Sequence, residues 1–277
     1  MFLDLVYAFI LGIIEGITEW LPISSTAHLI IFEKLFLTSN YSGEIFSKEF
    51  LEVNLVVIQL GAILAVVVIY FKELYPFAFN EDKNSIHNKL SIWGRVLISL
   101  FPIMVFGLLL DSIVVELFYN LFSISIMLIL YGVLFIVFDS FNKKQKKICD
   151  VSEIKVNKAL SIGFIQLLAL IPGTSRSGVT ILFSGFLGLD RKTAVKYSFF
   201  LSIPVMFGAS ILKLIKYLMV NELILKQVII LLIGMMVAFM VSMIVVKKLI
   251  MFINKINFKI FGYYRIALAI ILLLVFF

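Results

Sequence analysis

The stretch Glu15-Gly16-Ile17-Thr18-Glu19-Trp20-Leu21-Pro22-Ile23-Ser24-Ser25-Thr26-Ala27-His28 decides how this chain is read. It is flanked by apolar sequence on both sides, where two carboxylates and a histidine are costly enough to need a functional reason. A second stretch, Pro172-Gly173-Thr174-Ser175-Arg176-Ser177-Gly178, interrupts another apolar segment in the same way, at a proline, and adds an arginine.

The surrounding composition says what kind of molecule carries these motifs. Of 277 residues, 62% are hydrophobic and 15% charged, and the mean hydropathy is +1.12. One soluble core could not hide that much apolar surface, so the chain reads as an all-α polytopic membrane protein. The runs Leu55 to Phe71 and Val228 to Val246 are nearly continuous, whereas barrel strands would alternate polar and apolar residues, which excludes an outer-membrane barrel. The net charge of +7 does not point to nucleic acid, because Lys and Arg lie in the connections between apolar segments, as topology signals do. One cysteine and two histidines cannot build a Cys/His metal site. The N-terminus has no basic region before its apolar stretch, which carries Asp4, Glu15 and Glu19, and it reads as mature structure.

Six segments predict full transmembrane helices, at about 53–71, 92–110, 118–138, 197–213, 227–246 and 260–277. Residues 2–36 and 159–188 are instead broken by the two polar motifs and predict re-entrant helical hairpins. Under that reading the connections 72–91, 139–158, 189–196 and 247–259 share one face and hold 16 Lys and Arg, against 3 in the remaining connections. The basic face is then cytoplasmic. The chain becomes one integral membrane domain made of two inverted-topology repeats: about 1–138, a cytoplasmic loop at about 139–158, and about 159–277. Leu11-Gly12-Ile13-Ile14-Glu15 aligns with Ile162-Gly163-Phe164-Ile165-Gln166, and Pro22-Ile23-Ser24-Ser25 with Pro172-Gly173-Thr174-Ser175. Inverted repeats place a functional site at their interface.

Glu15 and Glu19 lie four apart, on one helix face. Held together in a poorly solvated setting they call for a divalent cation, a nearby arginine or a shared proton. Pro22 ends one arm, and Ser24, Ser25 and Thr26 are good N-cap residues for the next, whose backbone N–H groups suit an anion. Gly173, Thr174, Ser175 and Ser177 repeat the device around Arg176, whose planar donor fork matches phosphate. His28 follows Ser25 by three residues, so Ser25, His28 and Glu19 are candidates for nucleophile, base and orienting carboxylate. Gln59 is a further candidate phosphate contact and is placed deeper in its span than Asn54. Tyr263-Tyr264-Arg265 reads as an anchor or packing element of the last span. Gly61, Gly107, Gly132, Gly208 and Gly234 predict close helix contacts.

The two motifs resemble the signature regions of the undecaprenyl-diphosphate phosphatases of the bacitracin-resistance family, and the likeness extends over essentially the whole chain. It implies a multi-pass enzyme of the bacterial plasma membrane that hydrolyses undecaprenyl diphosphate to the monophosphate and phosphate, and so lowers sensitivity to bacitracin. It further implies a site opening to the extracytoplasmic face and a divalent cation, Mg2+ or Ca2+, near Glu15 and Glu19. Catalytic roles map onto Ser25, Glu19, His28 and Arg176, with Ser24, Thr26, Ser175 and Ser177 in support. Ala27 stands where many members have glycine, a small departure. The expected partners are the polyprenyl diphosphate lipid and the bilayer, with no nucleic acid; a homodimer is a further expectation. Whether Ser25 or His28 is the nucleophile stays open, and so does the alternative of a transporter or flippase for a phosphorylated lipid or anion, since such carriers also use inverted repeats.

Overall fold

The computed structural model describes residues 2–38, 47–77, 82–141 and 148–276, and within them the regular secondary structure is helical, joined by turns and loops, with one isolated bridge between Ile148 and Leu189. The helices are α1 (Phe2–Thr18), α2 (Ser25–Thr38), α3 (Lys48–Ile69), the single turn α4 (Phe71–Leu74), α5 (Lys83–Phe118), α6 (Leu121–Phe141), α7 (Val156–Gln166), α8 (Arg176–Phe186), α9 (Arg191–Leu218), α10 (Leu225–Phe252) and α11 (Lys259–Phe276). Six of these, α3, α5, α6, α9, α10 and α11, are long and apolar enough to cross a membrane, one for each predicted span. They also leave large apolar side chains outward, among them Leu97, Phe101 and Met104 of α5, Met236 and Met240 of α10, and Ile270, Ile271 and Leu274 of α11. Water would penalise such a surface and a bilayer would cover it, so the molecule is a multi-pass membrane protein.

The helices overrun the expected connections. Segment 111–117 belongs to α5, because Ile113-Val114-Val115 contains no breaker. The stop comes at Tyr119, whose N–H reaches the Val115 carbonyl (3.1 Å), and at Asn120, whose Oδ1 accepts from Ser123 N–H (2.8 Å) to start α6. Arg191, Lys192 and Lys196 likewise lie on α9. The basic run Lys143 to Lys147 lies outside the described residues.

Two compact units emerge. The first comprises Met1–Trp20, Ser25–Ile69 and Ser202–Lys248. In it α1 and α2 run antiparallel: the Tyr7 and Phe32 rings stack with centroids 5.6 Å apart, and the Tyr7 hydroxyl donates to Glu33 (3.2 Å). Tyr7, Leu11, Leu29, Phe50, Ile58 and Ile230 form its core. Close approach at Gly12, Gly16 and Gly61 binds this unit: a Cβ on Gly61 would stand 2.0 Å from the Met235 carbonyl oxygen.

The second unit comprises Leu21–Ser24, Tyr70–Leu201 and Leu249–Phe277. The α6 and α11 helices meet at Gly132 and Gly262, each of which faces the other's carbonyl at a distance too short for a side chain. Phe135, Phe138, Phe258 and Phe261 fill the space beside them. Gly107 and Gly208, expected to mediate such contacts, do not: around Gly208 there is open space, and Gly107 meets only Ile103 of its own helix. Within this unit the four connections expected to share a face are tied together. Arg191 pairs with Asp139 and donates to the Ile256 carbonyl, and Lys196 pairs with Glu73.

Candidate functional site

The first polar motif forms the end of α1, a turn, and the start of α2. Helical bonding continues past the formal end of α1, since Glu19 N–H donates to the Glu15 carbonyl (3.0 Å). Glu15 and Glu19 therefore stay one turn apart on a shared face, at 0% and 7% exposure. Ser25 is the first residue of α2, and its hydroxyl donates to Glu19 Oε2 at 2.6 Å in a buried setting. Helical spacing had suggested His28 as the partner of Ser25; the contact shown here is with Glu19, brought back by the turn. His28 and Thr26 are half-buried, and Ser24, fully buried, adopts φ 73°.

The second motif follows the same plan by different means. After α7 the chain tightens into a 3-10 turn, Leu167–Leu170, and then passes through Gly173 at φ 90°. Only glycine fits there, because a Cβ would lie 2.7 Å from the Ile124 carbonyl oxygen. Ser175, at φ 70°, caps α8 by accepting from Gly178 N–H (3.1 Å). Arg176 opens α8 and donates through Nη1 to the Ser198 carbonyl (2.7 Å). Ser177 Oγ lies 3.2 Å from Ser175 Oγ. Thr174 is fully buried, and among the described residues its hydroxyl has no hydrogen-bond partner, nor has the buried amide of Gln166. An unsatisfied buried hydroxyl beside an arginine suits a polar ligand.

The backbone corrects the alignment of the two motifs. Pairing the prolines puts Ser24 opposite Thr174, but the residue with Ser24's left-handed conformation, immediately before a helix, is Ser175. Gly12 and Gly163, Glu15 and Gln166, and Ser24 and Ser175 all share one offset of 151 residues, whereas Pro22 and Pro172 are 150 apart. Ser25 and Arg176 therefore hold matching positions in the two motifs, each first in its helix.

Two further residues can be placed. Gln59 is only half-buried and makes no hydrogen bond among the described residues, while Asn54 is fully buried in the first unit's core region. Arg265 is no surface anchor. It is 0% exposed and donates to the carbonyls of Pro22, Gly173 and Thr174. One signal in the sequence could have found it: no other charge lies between Lys259 and the end of α11.

Glu15 and Glu19 supply hard oxygen donors of the kind Mg2+ or Ca2+ takes, and no group of three or more His, Cys, Asp or Glu gathers among the described residues. Mg2+ commonly binds one or two carboxylates and completes its shell with phosphate oxygens and water, so the pair fits such an ion.

A family model, Bacitracin resistance protein BacA, matches residues 8–271. Curated relatives named undecaprenyl-diphosphatase align over nearly full length. One from Acetivibrio thermocellus is 48% identical over 275 residues, covering 99% of this chain and 98% of the relative. One from Desulfitobacterium hafniense is 48% identical over 271 residues, covering 97% and 95%. One from Enterococcus faecalis is 46% identical over 275 residues, covering 99% and 98%.

Proposed function

This chain belongs to the bacitracin-resistance BacA family, and from that footing we propose that it hydrolyses undecaprenyl diphosphate to undecaprenyl phosphate and inorganic phosphate. The reaction recycles the carrier lipid of cell-wall polymer synthesis, and by removing the diphosphate it confers bacitracin resistance. The observation that carries the mechanism is the buried bond from Ser25 Oγ to Glu19 Oε2. A hydroxyl already donating to a carboxylate has its proton acceptor in place.

In this reading Ser25 Oγ forms a bond to the terminal phosphorus as its proton passes to Glu19. The bond from that phosphorus to the bridging oxygen breaks, and undecaprenyl phosphate leaves. Water then attacks the phosphoserine, releases phosphate and restores the serine. Arg176 stabilises the charge spread over the phosphoryl oxygens. Hydroxyls and N–H groups of Ser24, Thr26, Gly173, Thr174, Ser175 and Ser177 support it. The Glu19 contact favours Ser25 over His28 as nucleophile and leaves His28 as a donor or second base. Glu15 and Glu19 would hold the divalent cation, which when bound neutralises part of the diphosphate charge.

The membrane arrangement is part of the proposal. The α1–α2 and α7–α8 hairpins are re-entrant and belong to inverted repeats, with the site opening on the extracytoplasmic side of the plasma membrane. Support comes from α7 and α8, whose 11 residues each span roughly 16 Å, about half a hydrocarbon core. The common offset of 151 residues and the ties joining the four basic connections favour the same reading.

Phosphate release from a polyprenyl diphosphate by the purified protein in detergent tests the activity. An intact protein that binds the lipid and releases nothing would favour a carrier instead. Trapping the phosphorylated intermediate and locating the modified side chain separates Ser25 from His28. Accessibility of cysteines placed at Ser42 and Lys144, both outside the described residues, tests the orientation; labelling at 144 from outside intact cells overturns it.

A further inference from the structure

Arg265 is the most deeply buried cation of the second unit, and among the described residues no carboxylate pairs with it. A guanidinium in that position is costly unless its donors are used well. Nη1 donates to the Pro22 carbonyl at 3.0 Å, and Nη2 donates to the carbonyls of Gly173 at 2.7 Å and Thr174 at 2.9 Å. The Tyr131 ring lies against the guanidinium, 5.6 Å from centroid to Cζ. The fork therefore joins the segment at Pro22 to the segment at Gly173 and Thr174, and its targets are the backbone carbonyls of both turns.

The places it grips are telling. Ser24 and Ser175 are the only non-glycine residues at positive φ among those described, at 73° and 70°. Serine in that conformation is strained and persists only where the surroundings over-determine the backbone. Pro22 lies two residues before Ser24, and Gly173 and Thr174 immediately precede Ser175. Each strained serine in turn sets the first residue of the next helix, Ser25 in one case and Arg176 in the other.

We propose that Arg265 is a positioning residue, whose fork holds both turns in the strained form that aims Ser25 and Arg176. It touches neither substrate nor the reacting atoms. The proposal rests on the phosphatase reading, because what it positions are the nucleophile and the arginine of that chemistry. A shift of about 1 Å in a reacting group costs on the order of a hundredfold in rate. Substrate affinity, which also draws on the long apolar chain of the lipid, should respond far less.

The test compares wild type, Arg265→Lys, Arg265→Gln and Tyr131→Leu, purified in detergent, for phosphate release from a polyprenyl diphosphate and for melting temperature. Lysine keeps the charge but cannot bridge three carbonyls. We expect kcat to fall about 100-fold in Arg265→Lys and at least as far in Arg265→Gln, with KM within about threefold of wild type. Tyr131→Leu, which frees the guanidinium to tilt, should lower kcat about tenfold. Wild-type kcat in Arg265→Lys overturns the clamp and leaves the phosphatase reading standing; an inactive but folded wild type overturns both. Loss of melting temperature with kcat unchanged shows a merely structural role and also overturns it. Should the arginine variants fail to fold, an unchanged kcat in Tyr131→Leu decides against the proposal.

Discussion

The turn that ends at Ser24 and the turn that ends at Ser175 use one backbone device to present different side chains. Each places a serine near φ 70° directly before a helix. The first follows Glu15 and Glu19 and delivers Ser25; the second follows Gln166 and Leu170 and delivers Arg176. The first turn passes through Pro22, whereas the second needs Gly173 because the Ile124 carbonyl leaves no room for a side chain. Duplicated geometry with divergent side chains lets one scaffold present a hydroxyl from one turn and a guanidinium from the other.

The division of labour breaks most visibly at the hydroxyls. Ser25→Ala should lower kcat by about 10⁴-fold or more, while Ser177→Ala, on the other turn, should cost about tenfold or less. Equal losses in steady-state phosphate release would mean that the turns do not differ as described. Next comes Arg176→Ala, expected to cost about 10² to 10³ in kcat, with Arg176→Lys recovering part by restoring charge without the fork. Full activity in the alanine variant would remove the second turn from the chemistry.

Glu15→Gln gives the first turn the residue its counterpart already has at 166. The Mg2+ or Ca2+ concentration for half-maximal activity should then rise about tenfold. An unchanged cation titration would take Glu15 out of metal binding. The smallest effect separates the backbones. Gly173→Ala should destabilise by about 1–3 kcal/mol through its φ and the Ile124 contact, whereas Ser24→Gly should relieve about 1 kcal/mol of strain. Thermal melts of the two variants should move in opposite directions; melts that move together would show that the turns are not held alike.

Much of this was legible in the sequence because it is local. Run lengths identify six spans, and the cost of charge in an apolar setting marks two interrupted segments and the candidate residues Glu15, Glu19, Ser25 and Arg176 without reference to any contact. Other features depend on packing partners. Gly107 and Gly132 look alike in sequence, yet only Gly132 faces a neighbouring helix. Helical spacing linked Ser25 to His28 because both are on α2, while the link to Glu19 crosses a turn whose path no periodicity describes. Asn54 is buried and Gln59 half-buried because burial follows the helix face that meets the core, which run length alone does not give.

The sequence by itself determined that this is a polytopic helical membrane protein with two polar turns interrupting apolar segments, since apolar length and unfavourable charge burial are properties of the chain. Only the tertiary structure decided that the turns match at Ser24 and Ser175 rather than at the prolines, and that Arg265 lies inside and holds both. An arginine after two tyrosines near a helix end suits a headgroup anchor as well as a buried clamp. Which of these it becomes depends on whether carbonyl groups from distant parts of the chain converge on its donors, and that convergence exists only in the folded molecule.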